Sequence, residues 1–426
     1  MFFHCLKFNQ PVTIPDSVMY CDSTFGDCEA LNQPVTISNN VRFCRNMFES
    51  CVSFNQPIII PLSVIDCTSM FKNCDKFNQP VMIPDSVAKC SHMFYGCSSF
   101  NQPVNIPEGV TDCSDMFAYC VKFNQPITIP DNVIDCSNMF AYCVKFNQPV
   151  IIPSSVTNCS HMFSQCYKFN QPVIIPSQVL NCRKMFSYCD QFNQLILLPD
   201  SLEDCDGIFL GCKTFNQHVI IPKGVKSCSH MFRSCKQFNQ SIIILNLVTD
   251  CSNMFEDCKC FNQLVTIPDS VENCDNMFHG CSSFNQPVHI PESASSCKAM
   301  FADCHSFNQP VTLLSSVINC SMMFQYCETF NQPVTLPSRV RDCSCMFEYC
   351  DEFNQQIDIP DTVFNCCNMF KGCKNLDKPI TLSKSLERFH EMFARCEKLE
   401  HHFKNAYTPD IFVKLYGRDE TNYFGG

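Results

Sequence analysis

The chain has 426 residues, with 30 Lys and Arg against 41 Asp and Glu, for a formal net charge of −11. That balance argues against the phosphate backbone of nucleic acid as the main partner. At 46% hydrophobic and 17% charged residues, the chain is neither disordered nor a highly charged coiled coil. No apolar run approaches the roughly 18 residues that a membrane-spanning helix needs. The start, MFFHCLKFNQ, has no basic segment followed by an apolar one, so no secretory signal is read there. Gly is scarce at 11 residues and Trp is absent, which removes Gly-rich phosphate loops from consideration.

From the N-terminus onward, one text repeats. The triplet FNQ begins at Phe8, recurs as LNQ at Leu31, and then returns every 23 residues from Phe54 to Phe353. Sixteen triplets stand in register without an insertion or deletion, and a decayed seventeenth follows at Leu376-Asp377-Lys378. The consensus is F-N-Q-P-V-x-I-P-x-x-V-x-x-C-x-x-M-F-x-x-C-x-x. A unit this small cannot bury its own apolar face, so it must stack on its neighbours.

Met1 and Phe2 already belong to the Met-Phe column, so the text begins inside a unit. An open solenoid end exposes core side chains. The expectation is that this end docks on a partner or a second copy, or that the chain is longer.

Within each unit, P-V-N-I-P at Pro103 to Pro107 alternates with period two and reads as a short strand bounded by its prolines. Val110, Cys113, Phe117 and Cys120 are spaced by three, four and three, which predicts a short helix. Asp112, Asp135, Asn158, Asn181 and Asp204 stand just before the first Cys, as N-caps would. The expected fold class is an α/β repeat solenoid with a parallel β-sheet on one face and short helices on the other. The usual crossover rule makes its coil right-handed.

The segment V-T-D-C-S-D-M-F-A-Y-C-V-K-F-N-Q (Val110 to Gln125) resembles the repeat of BspA-like leucine-rich-repeat proteins. The I-P-x-x-V element is also similar to treponemal-type leucine-rich repeats and to the FNIP repeats of slime moulds and giant DNA viruses. The resemblance covers roughly residues 1–396. It implies a curved or superhelical solenoid used for adhesion or protein contact, with no catalytic residues to carry over.

Of the 37 Cys, sixteen fall in a first column (Cys21 to Cys366) and eighteen in a second (Cys5 to Cys396), leaving Cys260, Cys345 and Cys367. Two Cys of one unit, seven apart on a helix, would lie about 10 Å apart, too far for a disulfide. Both columns therefore read as small buried hydrophobes. No C-x-x-C or Cys/His cluster has zinc spacing, so no metal or cofactor is expected. Free thiols in such number fit a reducing compartment, a cytosol or a virion. The Asn-Gln column reads as a ladder satisfying backbone groups. His390, His401 and His402 read as surface residues.

Variation confined to outward positions carries the functional signal. The residue between the inward Val and Ile of each strand is Thr in many units, but aliphatic in five successive ones: Ile151, Ile174, Leu197, Ile220 and Ile243. The preceding Pro column fails at Leu195, His218, Ser241 and Leu264, and the second Pro column fails at Leu245. With strands about 4.8 Å apart, this predicts an aliphatic stripe roughly 20 Å long, a candidate protein-binding surface. Ile151, Ile174, Leu195, Leu197, His218, Ile220, Ile243 and Leu245 are its named residues, for a protein partner or self-association. A competing expectation is drift to strand-favouring Ile.

The chain closes with EKLEHHFKNAYTPDIFVKLYGRDETNYFGG. Residues 1–396 are expected to form the repeat array and 397–426 a cap and tail. Its helix is predicted to run to about Asn405, with Ile411, Phe412, Val413, Leu415 and Tyr416 folding back on the last repeat. The expected function is a non-enzymatic structural or protein-interaction solenoid, a virion or intracellular scaffold component. The alternative is an exported cell-surface adhesin.

Overall fold

The structure is a computed structural model that describes residues 2–378, 380–382, 385–399 and 415. The chain divides into two compact units, Met1–Gly224 and Val225–Gly426. Both are built from the same coil, one 23-residue repeat to a turn.

The coil around Val110 to Gln125 shows how the backbone is satisfied. Met116 N donates to Cys113 O (3.2 Å), Cys120 N to Phe117 O (3.0 Å) and Phe123 N to Cys120 O (2.9 Å). These are consecutive three-bond turns. The third residues of the first two, Asp115 and Tyr119, have φ of 55° and 63°, the left-handed conformation that type II turns require there. The alternate amides point away from the coil. Cys113 N, Asp115 N, Phe117 N and Tyr119 N donate to Asp135, Ser137, Met139 and Ala141 carbonyls of the next coil, at 2.7–3.0 Å.

The predicted short helices are therefore corrected. Among the described residues of the repeat array no helix forms. A helix needs negative φ throughout and sends each amide four residues back along its own chain. Here φ is positive twice per unit, and every second amide bonds the neighbouring coil. Two end-to-end turns, Cys113–Met116 and Phe117–Cys120, give the same three-four-three spacing as a helix.

The caps are corrected with it. Asp112 Oδ1 accepts from Ser114 N at 2.8 Å, and Asn158 Oδ1 from Ser160 N at 3.0 Å. These are Asx turns leading into the tandem turns. The same residues carry isolated parallel bridges between coils, Asp112↔Asp135 and Asp135↔Asn158 among them.

The strand side is sparser than expected. Hydrogen-bonded strands are β1 (Val12–Thr13), paired parallel with β2 (Val35–Thr36), and β3 (Ile357–Asp358), paired parallel with β4 (Ile380–Thr381). Elsewhere among the described residues the P-V-x-I-P segments carry no strand assignment. The tandem turns carry the ladder between coils there.

The interior consists of two contacting columns of Phe rings. Phe100, Phe123 and Phe146 stack at centroid distances of 6.0 Å with interplanar angles of 8° and 6°. Phe117 and Phe140 stack at 5.9 Å, and Phe117 meets Phe123 at 4.4 Å. In the second unit Phe284 and Phe307 repeat the arrangement at 6.0 Å. Val110, Cys113, Met116 and Cys120 are fully buried around these rings.

Candidate protein-interaction face

The functional question concerns what the coils present outward, and backbone satisfaction first removes two columns from candidacy. Asn124 N donates to Asn101 Oδ1 at 2.9 Å, and Gln125 Nε2 approaches the same oxygen at 3.3 Å. The pattern recurs at Asn147 and Gln148 on Asn124. Each Asn oxygen thus receives an amide that has no carbonyl opposite it. The Asn-Gln column is internal wiring.

The second Cys column is wiring too, in a way the sequence reading missed. Cys120 Sγ lies 3.0 Å from Phe94 O and Cys143 Sγ 3.0 Å from Phe117 O, each one coil back. The thiols are buried as expected, and they also donate. The first column is sealed as well, and burial holds its protons on: Cys159 and Cys228 are pushed from 9.0 up to about 12, with desolvation the largest cause. Among the described residues, which include all 37 cysteines, no disulfide forms; Cys5 and Cys260 are exposed, and Cys345 and Cys367 are half-buried.

The outward position of P-V-x-I-P is where the surface changes character. The pleat turns Val150 and Ile152 inward (5% and 6% exposed) and Ile151 outward at 85%. In the first unit, Ile174 (85%), Leu197 (72%) and Ile220 (68%) continue this row, with Leu195 at 60% and His218 also exposed beside it. The row spans three coil steps, about 14 Å. In the second unit Ile243 is 77% exposed, whereas Leu245 is half-buried. Nearby, Leu264, Thr266, Pro287, His289, Pro310 and Thr312 line a shallow recess.

A further apolar patch lies outside the five-residue row. Ile59 (86%) and Met82 (83%) occupy the same outward column on adjacent coils, with Leu62 at 81% close in sequence.

Among the described residues no group of three or more His, Cys, Asp or Glu side chains could hold a metal ion. No helix among them is long and apolar enough to cross a membrane. His390 is exposed and lies 3.4 Å from Glu391. His401 and His402 lie outside the described residues, as does the predicted helix to Asn405.

Coils of one length, a ladder running from coil to coil and an outward row that changes from coil to coil define a repeat solenoid of the leucine-rich-repeat class. The family model described as "Mycoplasma protein of unknown function, DUF285" matches in overlapping segments, 1–82, 62–129, 107–197, 130–220, 174–267, 226–336, 267–359 and 336–411. The chain belongs to this family, and its repeat is BspA-like. No curated protein matches it. Among solved structures it is similar to a leucine-rich repeat protein from Bacteroides ovatus, at 19% identity over 94% of this chain and 82% of that one, TM-score 0.36. It is also similar to a leucine-rich cell surface protein from Faecalibacterium prausnitzii (19%, 89% of each chain, TM-score 0.41). A leucine-rich repeat protein from T. pallidum matches at 20% identity over 42% of this chain and 73% of that one, TM-score 0.30.

Proposed function

We propose that the chain is a non-enzymatic scaffold that binds a protein through the outward face of its P-V-x-I-P segments. The observation that carries this reading is the row Ile151, Ile174, Leu197 and Ile220, exposed by 68–85%, where the two coils before it present Asn105 and Thr128. Fully burying four such side chains is worth roughly 6–12 kcal/mol. Association itself costs several kcal/mol, so the row anchors a complex whose specificity comes from its rim, His218 and Leu195 included.

The test replaces Ile151, Ile174, Leu197 and Ile220 together with Asp. Retained folding by circular dichroism with loss of a cross-linked partner or of self-association supports the reading. A variant that keeps its partner and its sedimentation behaviour overturns it.

The same reading has the array end near residue 396 and 397–426 act as its cap. It is supported by Leu415, which is fully buried and accepts a hydrogen bond from Phe393 N at 2.8 Å. Thiol titration of native protein separates the two settings for such a scaffold. Thiols that are mostly free place it in a reducing compartment; extensive disulfides place it outside the cell.

A further inference from the structure

Three cysteines stand outside both columns, and two of them occupy adjacent coils. Cys345 is the left-handed third residue of its first turn (φ 54°), and its amide donates to Cys367 O at 2.9 Å. Both side chains are half-buried, whereas every column thiol but Cys5 is buried. Cys345 Sγ also sits 3.9 Å from Nδ2 of Asn368, the residue after Cys367. The direct amide-to-carbonyl bond between the two residues holds their backbones side by side on adjacent coils, as an inter-coil disulfide requires.

We propose that Cys345 and Cys367 are a redox pair that closes into an inter-coil disulfide on exposure to a small anionic disulfide such as glutathione disulfide. Cys367 lines a surface cavity of about 480 Å³ together with Glu387, Arg388, Phe389 and His390. The Arg388 guanidinium there attracts the oxidant's carboxylates. The Cys367 thiolate attacks one sulfur of the oxidant, forming a mixed disulfide and expelling one glutathione thiolate.

Cys345 then resolves it. Its thiol is held protonated by burial first and by the Glu348 carboxylate, to which it is hydrogen-bonded; its pKa is pushed up to about 12. As the Cys345 sulfur attacks the Cys367 sulfur of the mixed disulfide, its proton passes to the departing thiolate and the second glutathione leaves. Two thiols and one disulfide become one protein disulfide and two glutathione molecules, with no other reactant. Every column thiol except Cys5 is excluded because it is sealed from solvent.

The test treats the full chain with glutathione disulfide under native conditions, traps remaining thiols by alkylation, and maps peptides by mass. The expected result is a Cys345–Cys367 cross-link lacking two hydrogens, with exposed Cys260 carrying a glutathione adduct that reports oxidant access. Cys345→Ser should leave a lasting glutathione adduct on Cys367. The proposal is overturned if wild-type Cys367 retains its adduct, or if both thiols remain free while Cys260 is modified. An adduct that persists on Cys345 in Cys367→Ser, with none on Cys367 in Cys345→Ser, overturns Cys367 as the attacking thiol.

Discussion

The Cys120 thiol donates across 3.0 Å to the carbonyl of Phe94, one coil earlier, an oxygen that also receives Cys97 N at 3.0 Å. This contact joins the sealed interior to the backbone ladder. Replacing Cys120 with Ala removes the donor and opens a small void at a fully buried position. The expected loss is about 1–2 kcal/mol of unfolding free energy. Urea denaturation measures it, and a loss no larger than that of an exposed Ser→Ala control would show that the thiol only fills space.

The thiols also set an alkaline limit. Cys159, Cys228, Cys274, Cys320 and Cys366 are raised from 9.0 to about 12, chiefly by desolvation. Above pH 9 the unfolded chain releases these protons while the folded chain keeps them. The folded state then binds more protons, so stability falls as pH rises from about 9 to about 12. Each such thiol contributes a slope of about 1.4 kcal/mol per pH unit. Below pH 9 the thiols impose no slope. Urea midpoints taken from pH 7 to 11 should be flat with respect to the thiols and then drop steeply.

The asparagine ladder is expected to fail locally. Asn124→Ala deletes the oxygen that Asn147 N and Gln148 Nε2 reach at 2.9 and 3.4 Å. The stranded amide costs about 1–3 kcal/mol. Hydrogen exchange at Asn147 should accelerate more than at Asn193, which draws on a different oxygen, that of Asn170.

Glycine is required at Gly211 for two separable reasons. Its φ is +73°, and a Cβ there would lie 2.5 Å from Cδ1 of Tyr188, whose ring covers it. Gly211→Ala should cost more than the ~1 kcal/mol of backbone strain alone. Adding Tyr188→Ala should recover the steric part and leave the strain, a non-additivity that a double-mutant cycle reads directly.

These residues also show where sequence reasoning succeeded and where it stopped. The stacking of Phe100 on Phe123 was legible because only a repeating coil returns one large side chain every 23 residues. The inward Val104 and Ile106 and the exposed Ile151 row were legible from period two. The tandem turns were not, because Val110, Cys113, Phe117 and Cys120 have the same spacing on a helix as on two successive turns. The evidence that separates them lay in other columns. Gly96, Gly211, Gly280 and Gly372 all precede a second-column Cys, and Asn46, Asn138 and Asn276 all follow a first-column Cys by two. Gly and Asn at fixed positions are the residues that accept positive φ, and each of these has it. The thiol-to-carbonyl contacts left no trace in spacing, since they depend on how far one coil lies above the next.

The central claim is that consecutive repeats stack coil upon coil, joined by left-handed tandem turns. An experimental crystal structure of the chain tests it most directly. The account predicts the rings of Phe100, Phe123 and Phe146 parallel and about 6.0 Å apart, with Asp115 and Tyr119 at positive φ. Rings that pack in separate bodies, or an α-helical Cys113–Cys120 segment, would contradict it.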